Sequence, residues 1–251
     1  MSDVIVTEGL TKVYPGGITA VDGLDLRVRE GEIFGLLGPN GAGKTTCFTM
    51  IAGFTTPDAG TVRFRGEDVT GLEPHAICAR GMIRTFQIVQ PFAGLTVQEN
   101  IAVGAYLHHH DRRDAMRVAR EVGRRLGMGA MLDRPASSLT IAGRKRLELA
   151  RALATGAKLL LLDEVMAGLI PSEVTEIVGI IRQIRDDGHT FLLIEHVMQA
   201  VMSLAETAYV LNHGRMIAHG PPRALVNDQG VIEAYLGRGA AARLQQESAH
   251  A

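Results

Sequence analysis

Long hydrophobic runs are missing from this sequence. No apolar stretch approaches the ~18 residues that span a bilayer, and the two strongest, LLLLDEVMAGL and FLLIEH, are short and carry acids. The opening MSDVIVTEGLTKVY has no charged-then-apolar leader pattern. A soluble, cytoplasmic protein is expected, reaching a membrane only through a partner. Cysteine is scarce as well: Cys47 and Cys78 are the only two in 251 residues. That rules out a disulfide framework and suits a reducing compartment. Excess charge is also lacking, since the formal net charge is -1, so nothing in the balance asks for nucleic acid. No internal repeat is visible.

The 46% hydrophobic content is enough to fill a core. VIVTEGLTKVY and ITAVDGLDLRV alternate as strands around the turn Pro15-Gly16-Gly17. EIFGLLG (32–38), LLLLD (159–163) and FLLIEH (191–196) are compact apolar runs that suit strands buried on both faces. TTCFTMIAG reads as a helix stopping at Gly53, TVRFRGEDVT as a hairpin, and AYVLNHGRMIAHG as a hairpin around His213-Gly214. From about 90 to 155 the pattern is helical. Ala115, Val118, Ala119, Val122 and Leu126 share one helical face. In EVTEIVGIIRQIRDDG, Val174, Ile177, Ile181 and Ile184 turn inward and Gly188 stops the helix. Alternating strands and helices imply an α/β fold with a mostly parallel sheet. An antiparallel β unit precedes it, and a helical subdomain over about 90–155 interrupts it. One domain over 1–237 is expected, followed by a frayed tail, 238–251.

GPNGAGKTT (38–46) fits G-x-x-x-x-G-K-[ST], with a buried strand before it and a helix after it. Its glycines let backbone N–H groups turn inward on an anion, and the helix N-terminus adds partial positive charge. Gly38, Pro39, Asn40, Gly41, Ala42, Gly43, Lys44, Thr45 and Thr46 form the candidate phosphate cradle. Lys44 reaches the β- and γ-phosphates and Thr45 places a hydroxyl on Mg²⁺. An ordinary glycine turn would explain the glycines but not a lysine followed by two threonines. Such a site needs a carboxylate at the end of a neighbouring strand. Asp163 fits that role. Glu164, pointing the other way, can take a proton from an attacking water. His196 ends the third strand, where it can donate to developing charge.

These motifs together resemble the ATP-binding subunits of ABC transporters over nearly the whole chain, and most of all those of branched-chain amino acid importers. GLLGPNGAGKTT is similar to Walker A and LLLLDE to Walker B. IRTFQ resembles the Q-loop, which implies Gln87 on Mg²⁺ and water, and IEH resembles the switch histidine. Tyr14 stands where an aromatic stacks on adenine. The narrower likeness rests on RTFQ, LTVQENIAVG, LIEHVMQAVM and YLG (235–237). The resemblance implies ATP hydrolysis with Mg²⁺, a second ATPase subunit in a homo- or heterodimer, transmembrane permease subunits and, indirectly, a periplasmic solute-binding protein. It also implies that segment 86–107, with Phe92 and Leu95, meets the permease.

The helix RLELARAL resembles the one after the ABC signature, whose N-terminus faces the partner's ATP. Here LTIAG stands in place of LSGGQ. Thr140 keeps a hydroxyl, Ile141 and Ala142 replace two glycines, and Gly143 replaces a glutamine. Ile170 occupies the place of an aspartate or asparagine, and Val165 that of a proline. A weakened signature beside an intact nucleotide half-site suggests an asymmetric pair; the alternative is that Thr140 and the backbone amides suffice and both sites work. Two neighbouring readings stay open. One is the ATPase of a lipid or lipopolysaccharide exporter. The other is a non-transport ABC factor acting on nucleic acid, although no second ATPase unit or basic stripe is present. Intact Glu164, Gln87 and His196 count against a regulatory subunit that does not hydrolyse ATP. The run His108-His109-His110 reads as a loop, and Cys47 as a packed helix residue.

Overall fold

The computed structural model describes residues 2–85 and 90–237. Two long antiparallel strands open the chain, β1 (Asp3–Tyr14) and β2 (Ile18–Arg29). Strand β3 (Ile33–Leu37) leads into α1 (Lys44–Ile51). A hairpin of β4 (Ala59–Phe64) and β5 (Glu67–Asp68) follows, then α2 (Pro74–Ala79) and the short β6 (Met82–Arg84). The middle of the chain holds α3 (Val97–Ala105), α4 (Arg112–Arg125) and α5 (Ile141–Ala154). Alternation resumes with β7 (Leu159–Asp163), α6 (Pro171–Asp186), β8 (Thr190–Ile194) and α7 (Met198–Leu204). A hairpin of β9 (Thr207–Asn212) and β10 (Arg215–Gly220) precedes α8 (Pro222–Leu225) and α9 (Gln229–Leu236).

The strands form two sheets. One is antiparallel, in the order β2-β1-β4-β5. The other runs β10-β9-β3-β8-β7-β6 and is parallel except for the β9–β10 pair. This is the expected α/β class with a mostly parallel sheet and a separate antiparallel one.

The run of four leucines in β7 shows why such a strand must lie centrally. Leu160 and Leu162 join one core with α3–α6, while Leu159 and Leu161 join the other with α1 and the antiparallel sheet. All four are fully buried. Side chains alternate across a strand, so only a sheet covered on both faces can shelter a continuous apolar run. Strand β8 divides likewise, with Phe191 and Leu193 on one side and Leu192 and Ile194 on the other.

On α6, Val174, Ile177, Ile181 and Ile184 are buried as expected. On α4, Ala115 and Ala119 are buried, and so is Leu126 at its cap, while Val118 and Val122 pack partly buried beside them. Gly123 joins this face, because a Cβ there would come within 2.5 Å of Leu132 Cδ2. Thr96 and Glu99 close a reciprocal cap on α3, a motif that satisfies otherwise orphaned amides. The three histidines lie in the turn and coil after α3, with His108 and His110 exposed. Cys47 is fully buried, and burial pushes its thiol up to about 12, so it is a packing residue.

Four elements carry no clear sequence signal. Strand β6 is three residues long and α2 six, below the length at which a period shows. Helices α7 and α9, seven and eight residues long, lie close to the same limit. The expected frayed tail beyond Gly237 and Gln87, expected to serve Mg²⁺ and water, both lie outside the described residues.

Candidate functional site

The phosphate loop runs from the end of β3 to the first turn of α1. Two of its glycines are required by contact. A Cβ on Gly38 (φ +143) would sit 2.2 Å from the Leu211 carbonyl oxygen, and one on Gly43 (φ +102) would sit 2.2 Å from that of Ala20. The loop is thus wedged between β9 and β2. Gly43 also caps α1 in a left-handed conformation, which side chains resist. Lys44 is buried and folds back, with Nζ donating to the carbonyls of Gly38 (2.8 Å) and Pro39 (3.0 Å). Burial pulls its pKa down, while the carboxylates of Glu164 and Asp163 push it up.

A cavity of about 290 Å³ opens above this loop. Asn40, Gly41, Ala42, Gly43, Lys44, Thr45 and Thr46 line it, and Glu164 and His196 face them across it. Gly38 and Pro39 stand behind as acceptors for Lys44. Tyr14 is exposed at the end of β1, 5.9 Å from Lys12 Nζ, and does not line the cavity.

The two acids diverge at the end of β7. Asp163 and Ile194 are register partners in the parallel pair β7–β8. Asp163 turns towards β6, where Arg84 Nη2 donates to its Oδ2 at 2.7 Å. Glu164 turns the other way, with Oε1 2.9 Å from His196 Nε2. The Glu164 backbone takes the left-handed φ of +49, rare for a residue with a side chain. Its N–H donates to the Ile194 carbonyl, and its own carbonyl accepts from Lys145 Nζ at 3.2 Å. A strained conformation persists where its surroundings over-determine it.

Three residues of this neighbourhood were not singled out from the sequence. Arg84 is one. Lys145, on α5, is buried and grips the backbone of Glu164. Glu195 is also buried and accepts from the Met166 N–H at 2.9 Å. Burial pushes its carboxyl up to about 7, against the pull of backbone N–H bonds from Met166 and His196. A charged residue beside an apolar strand end was the available signal, but charge at a strand end is commonly just solvated.

The donor chemistry suits a hard cation. Thr45 offers a hydroxyl and Asp163 a carboxylate, both oxygen donors of the kind Mg²⁺ takes. Among the described residues no three His, Cys, Asp or Glu side chains cluster to hold a metal alone. A cation here would therefore share its shell with phosphate oxygens and water, as Mg²⁺ does at nucleotide sites.

Residues 21–167 match the family model described as ABC transporter. This chain belongs to the ABC transporter ATP-binding family. It is an ABC ATPase subunit and an ATP hydrolase. Residues 215–241 match a second family model, the branched-chain amino acid ATP-binding cassette transporter. The high-affinity branched-chain amino acid transport ATP-binding protein BraF of Pseudomonas aeruginosa is 36% identical over 250 residues, covering 93% of this chain and 98% of BraF. LivG of Salmonella typhimurium, with the same description, is 38% identical over 88% of this chain and 93% of its own. The lipopolysaccharide export ATP-binding protein LptB of Escherichia coli is 37% identical over 93% and 97%. Among solved structures, the ADP conformation of an ABC transporter cassette superposes with a TM-score of 0.86 at 30% identity, covering 95% of this chain and all of that one.

The ABC signature position has an ordinary helix start. Thr140 caps α5, its hydroxyl accepting from the Gly143 N–H at 3.2 Å. Among the described residues only Arg65, Glu164 and His213 combine a side chain with positive φ. Ile141 and Ala142 therefore need no glycine-only angles here. Bulk remains. Ile141 is 59% exposed at the first helical position, and Ile170 is 60% exposed before α6. In the segment expected to meet a permease, Phe92 is exposed with the Arg151 guanidinium 4.9 Å from its ring centroid, and Leu95 is half-buried.

Proposed function

We propose that this ABC ATPase energises the uptake of branched-chain amino acids or similar small polar solutes. The supporting observation is the match of residues 215–241, which start at β10 and take in α8 and α9, to the branched-chain amino acid transporter family. In this reading residues 1–237 form one ATPase domain, peripheral on the inner face of the membrane. A second ATPase, two-fold related, completes each nucleotide site. Separate permease subunits carry the solute, and a periplasmic binding protein delivers it.

The residue roles follow from the cavity. Lys44 exchanges its two carbonyl acceptors for phosphate oxygens, and the amides of 41–46 enclose the anion. Thr45, Asp163 and Gln87 would hold Mg²⁺, whose charge would offset that of the phosphates. Glu164 takes the proton of the attacking water while His196 donates to the γ-phosphate, so their mutual hydrogen bond opens when nucleotide arrives. Tyr14 stacks on adenine. Thr140, Ile141, Ala142 and Gly143 present the first turn of α5 to the partner's nucleotide. Segment 86–107 contacts the permease.

Deleting the gene and measuring solute uptake tests the reading. Loss of leucine, isoleucine and valine uptake, restored by the wild-type gene and not by Lys44→Ala, is the expected outcome. The LptB likeness favours a second reading, a lipopolysaccharide-type exporter. Co-purification with an exporter permease, together with normal amino acid uptake, would establish that reading instead.

A further inference from the structure

Arg84 has no place in the machinery just described, yet it touches it. It ends β6, in register with Leu161 of β7. Register partners in a parallel pair share a face, and Asp163 lies two residues further along that face, within reach of an arginine. The pair so formed is buried, with side-chain exposures of 9% and 5% and a 2.7 Å contact. The guanidinium carbon also lies 5.7 Å from the centroid of the Phe54 ring, just past α1.

We propose that Arg84 is a positioning residue for the nucleotide site. It orients Asp163 and, as a competing cation, weakens the hold of Mg²⁺ there. The inference rests on the reading of Asp163 as the metal-side carboxylate. A buried carboxylate needs a counter-charge, and Arg84 supplies one before metal arrives. When Mg²⁺ arrives beside the same carboxylate, guanidinium and metal repel one another across a poorly screened interior. Removing the arginine's charge therefore destabilises the metal-free site more than the metal-bound one. Arginine suits the task because its charge is permanent and its planar fork holds a carboxylate in a fixed orientation.

The position of Arg84 adds a consequence. It also lines a cavity of about 370 Å³ between β6 and helices α3 and α5, with Ile83, Val103, Gly104, Glu148 and Arg151. No residue of the phosphate loop lines that cavity. Any contact that drew the guanidinium towards it would loosen Asp163 and raise metal affinity without touching the nucleotide.

The test is ADP binding to the full chain by calorimetry, in Mg²⁺ and in EDTA, for wild type, Arg84→Met, Arg84→Gln and Arg84→Lys. The readout is the ratio of the dissociation constant in EDTA to that in Mg²⁺. The neutral variants should raise it on the order of tenfold, and Arg84→Lys should leave it near the wild-type value. A wild-type ratio of one would sink the metal-site reading itself. A wild-type ratio well above one that the neutral variants leave unchanged, or lower, overturns the role of Arg84 alone. Circular dichroism checks folding. If both neutral variants fail to fold, the pair is structural and the proposal falls.

Discussion

His196 Nε2 and Glu164 Oε1 lie 2.9 Å apart, joining the ends of two neighbouring parallel strands across the mouth of the phosphate cavity. The contact follows from the register. Asp163 opposes Ile194, so Glu164 and His196, one and two residues beyond that pair, follow the ends of neighbouring strands. The left-handed turn at Glu164 then swings its carboxylate away from Asp163 and towards the histidine. One strand end thus presents two carboxylates to different partners, Asp163 to Arg84 of β6 and Glu164 to His196 beyond β8.

If Glu164 takes the water's proton, Glu164→Gln keeps the shape and the neighbouring histidine but loses the base. Turnover should fall on the order of 10²–10⁴-fold, with ATP affinity changed by no more than a few fold. Steady-state hydrolysis and equilibrium nucleotide binding on the assembled transporter separate the two quantities. A parallel loss of affinity would assign Glu164 to binding.

Glu195 makes stability depend on pH. Its carboxyl is raised from an ordinary 4.5 to about 7 by burial, so the folded chain holds a proton that the unfolded chain releases between those values. Stability contributed by this proton is present below pH 4.5 and is lost as pH rises through 7. Glu195→Gln should accept the Met166 N–H equally well without titrating. Its melting temperature relative to wild type should therefore be higher at pH 8 than at pH 5, by the equivalent of about 2–3 kcal/mol at most. Equal differences at the two pH values would mean that Glu195 is ionised across the range.

Much of this arrangement is legible in the sequence because each piece is local. LLLLD and FLLIEH announce strands buried on both faces, and GPNGAGKTT announces the loop between strand and helix. Glu164 pointing away from Asp163 is expected from alternation, but the left-handed turn that delivers it to His196 is not. Arg84, Lys145 and Glu195 are illegible for the opposite reason. Each acts on a residue distant in the chain, or through a backbone atom. Lys145 meets the carbonyl of Glu164, and Arg84 meets Asp163 only because β6, too short to recognise, lies next to β7. Ile141 shows a different limit. Its replacement of a glycine suggests backbone strain, but the helix begins there without any.

Gly43 tests the wedge that holds the loop. Its φ of +102 is unfavourable for a side chain, and a Cβ would meet the Ala20 carbonyl at 2.2 Å. Gly43→Ala should cost about 1–3 kcal/mol of stability and weaken nucleotide binding more than tenfold, on the same scale of energy. Gly41→Ala is the control: it also has positive φ, +79, but nothing stands within 4 Å of the added atom. It should carry the smaller penalty of the two in both thermal melts and nucleotide titrations.

The exposed Ile141 bears on the partner subunit. In the proposed dimer the first turn of α5 meets nucleotide held by the second ATPase, and a bulky apolar side chain there keeps backbone amides from close approach. Two sites of unequal competence would result: the one built on this chain's Lys44 and Glu164 turns over, and the one that meets Ile141 turns over slowly. Glu164→Gln should then remove most of the hydrolysis of the assembled transporter, and the matching substitution in the partner much less. Ile141→Gly should narrow that difference by raising turnover at the slow site, at a helix-propensity cost of about 1 kcal/mol or less. Single-turnover hydrolysis with each glutamate replaced in turn measures both rates. Equal losses from the two glutamate substitutions would mean that Thr140 and the amides of α5 suffice, and that the bulk at Ile141 is accommodated.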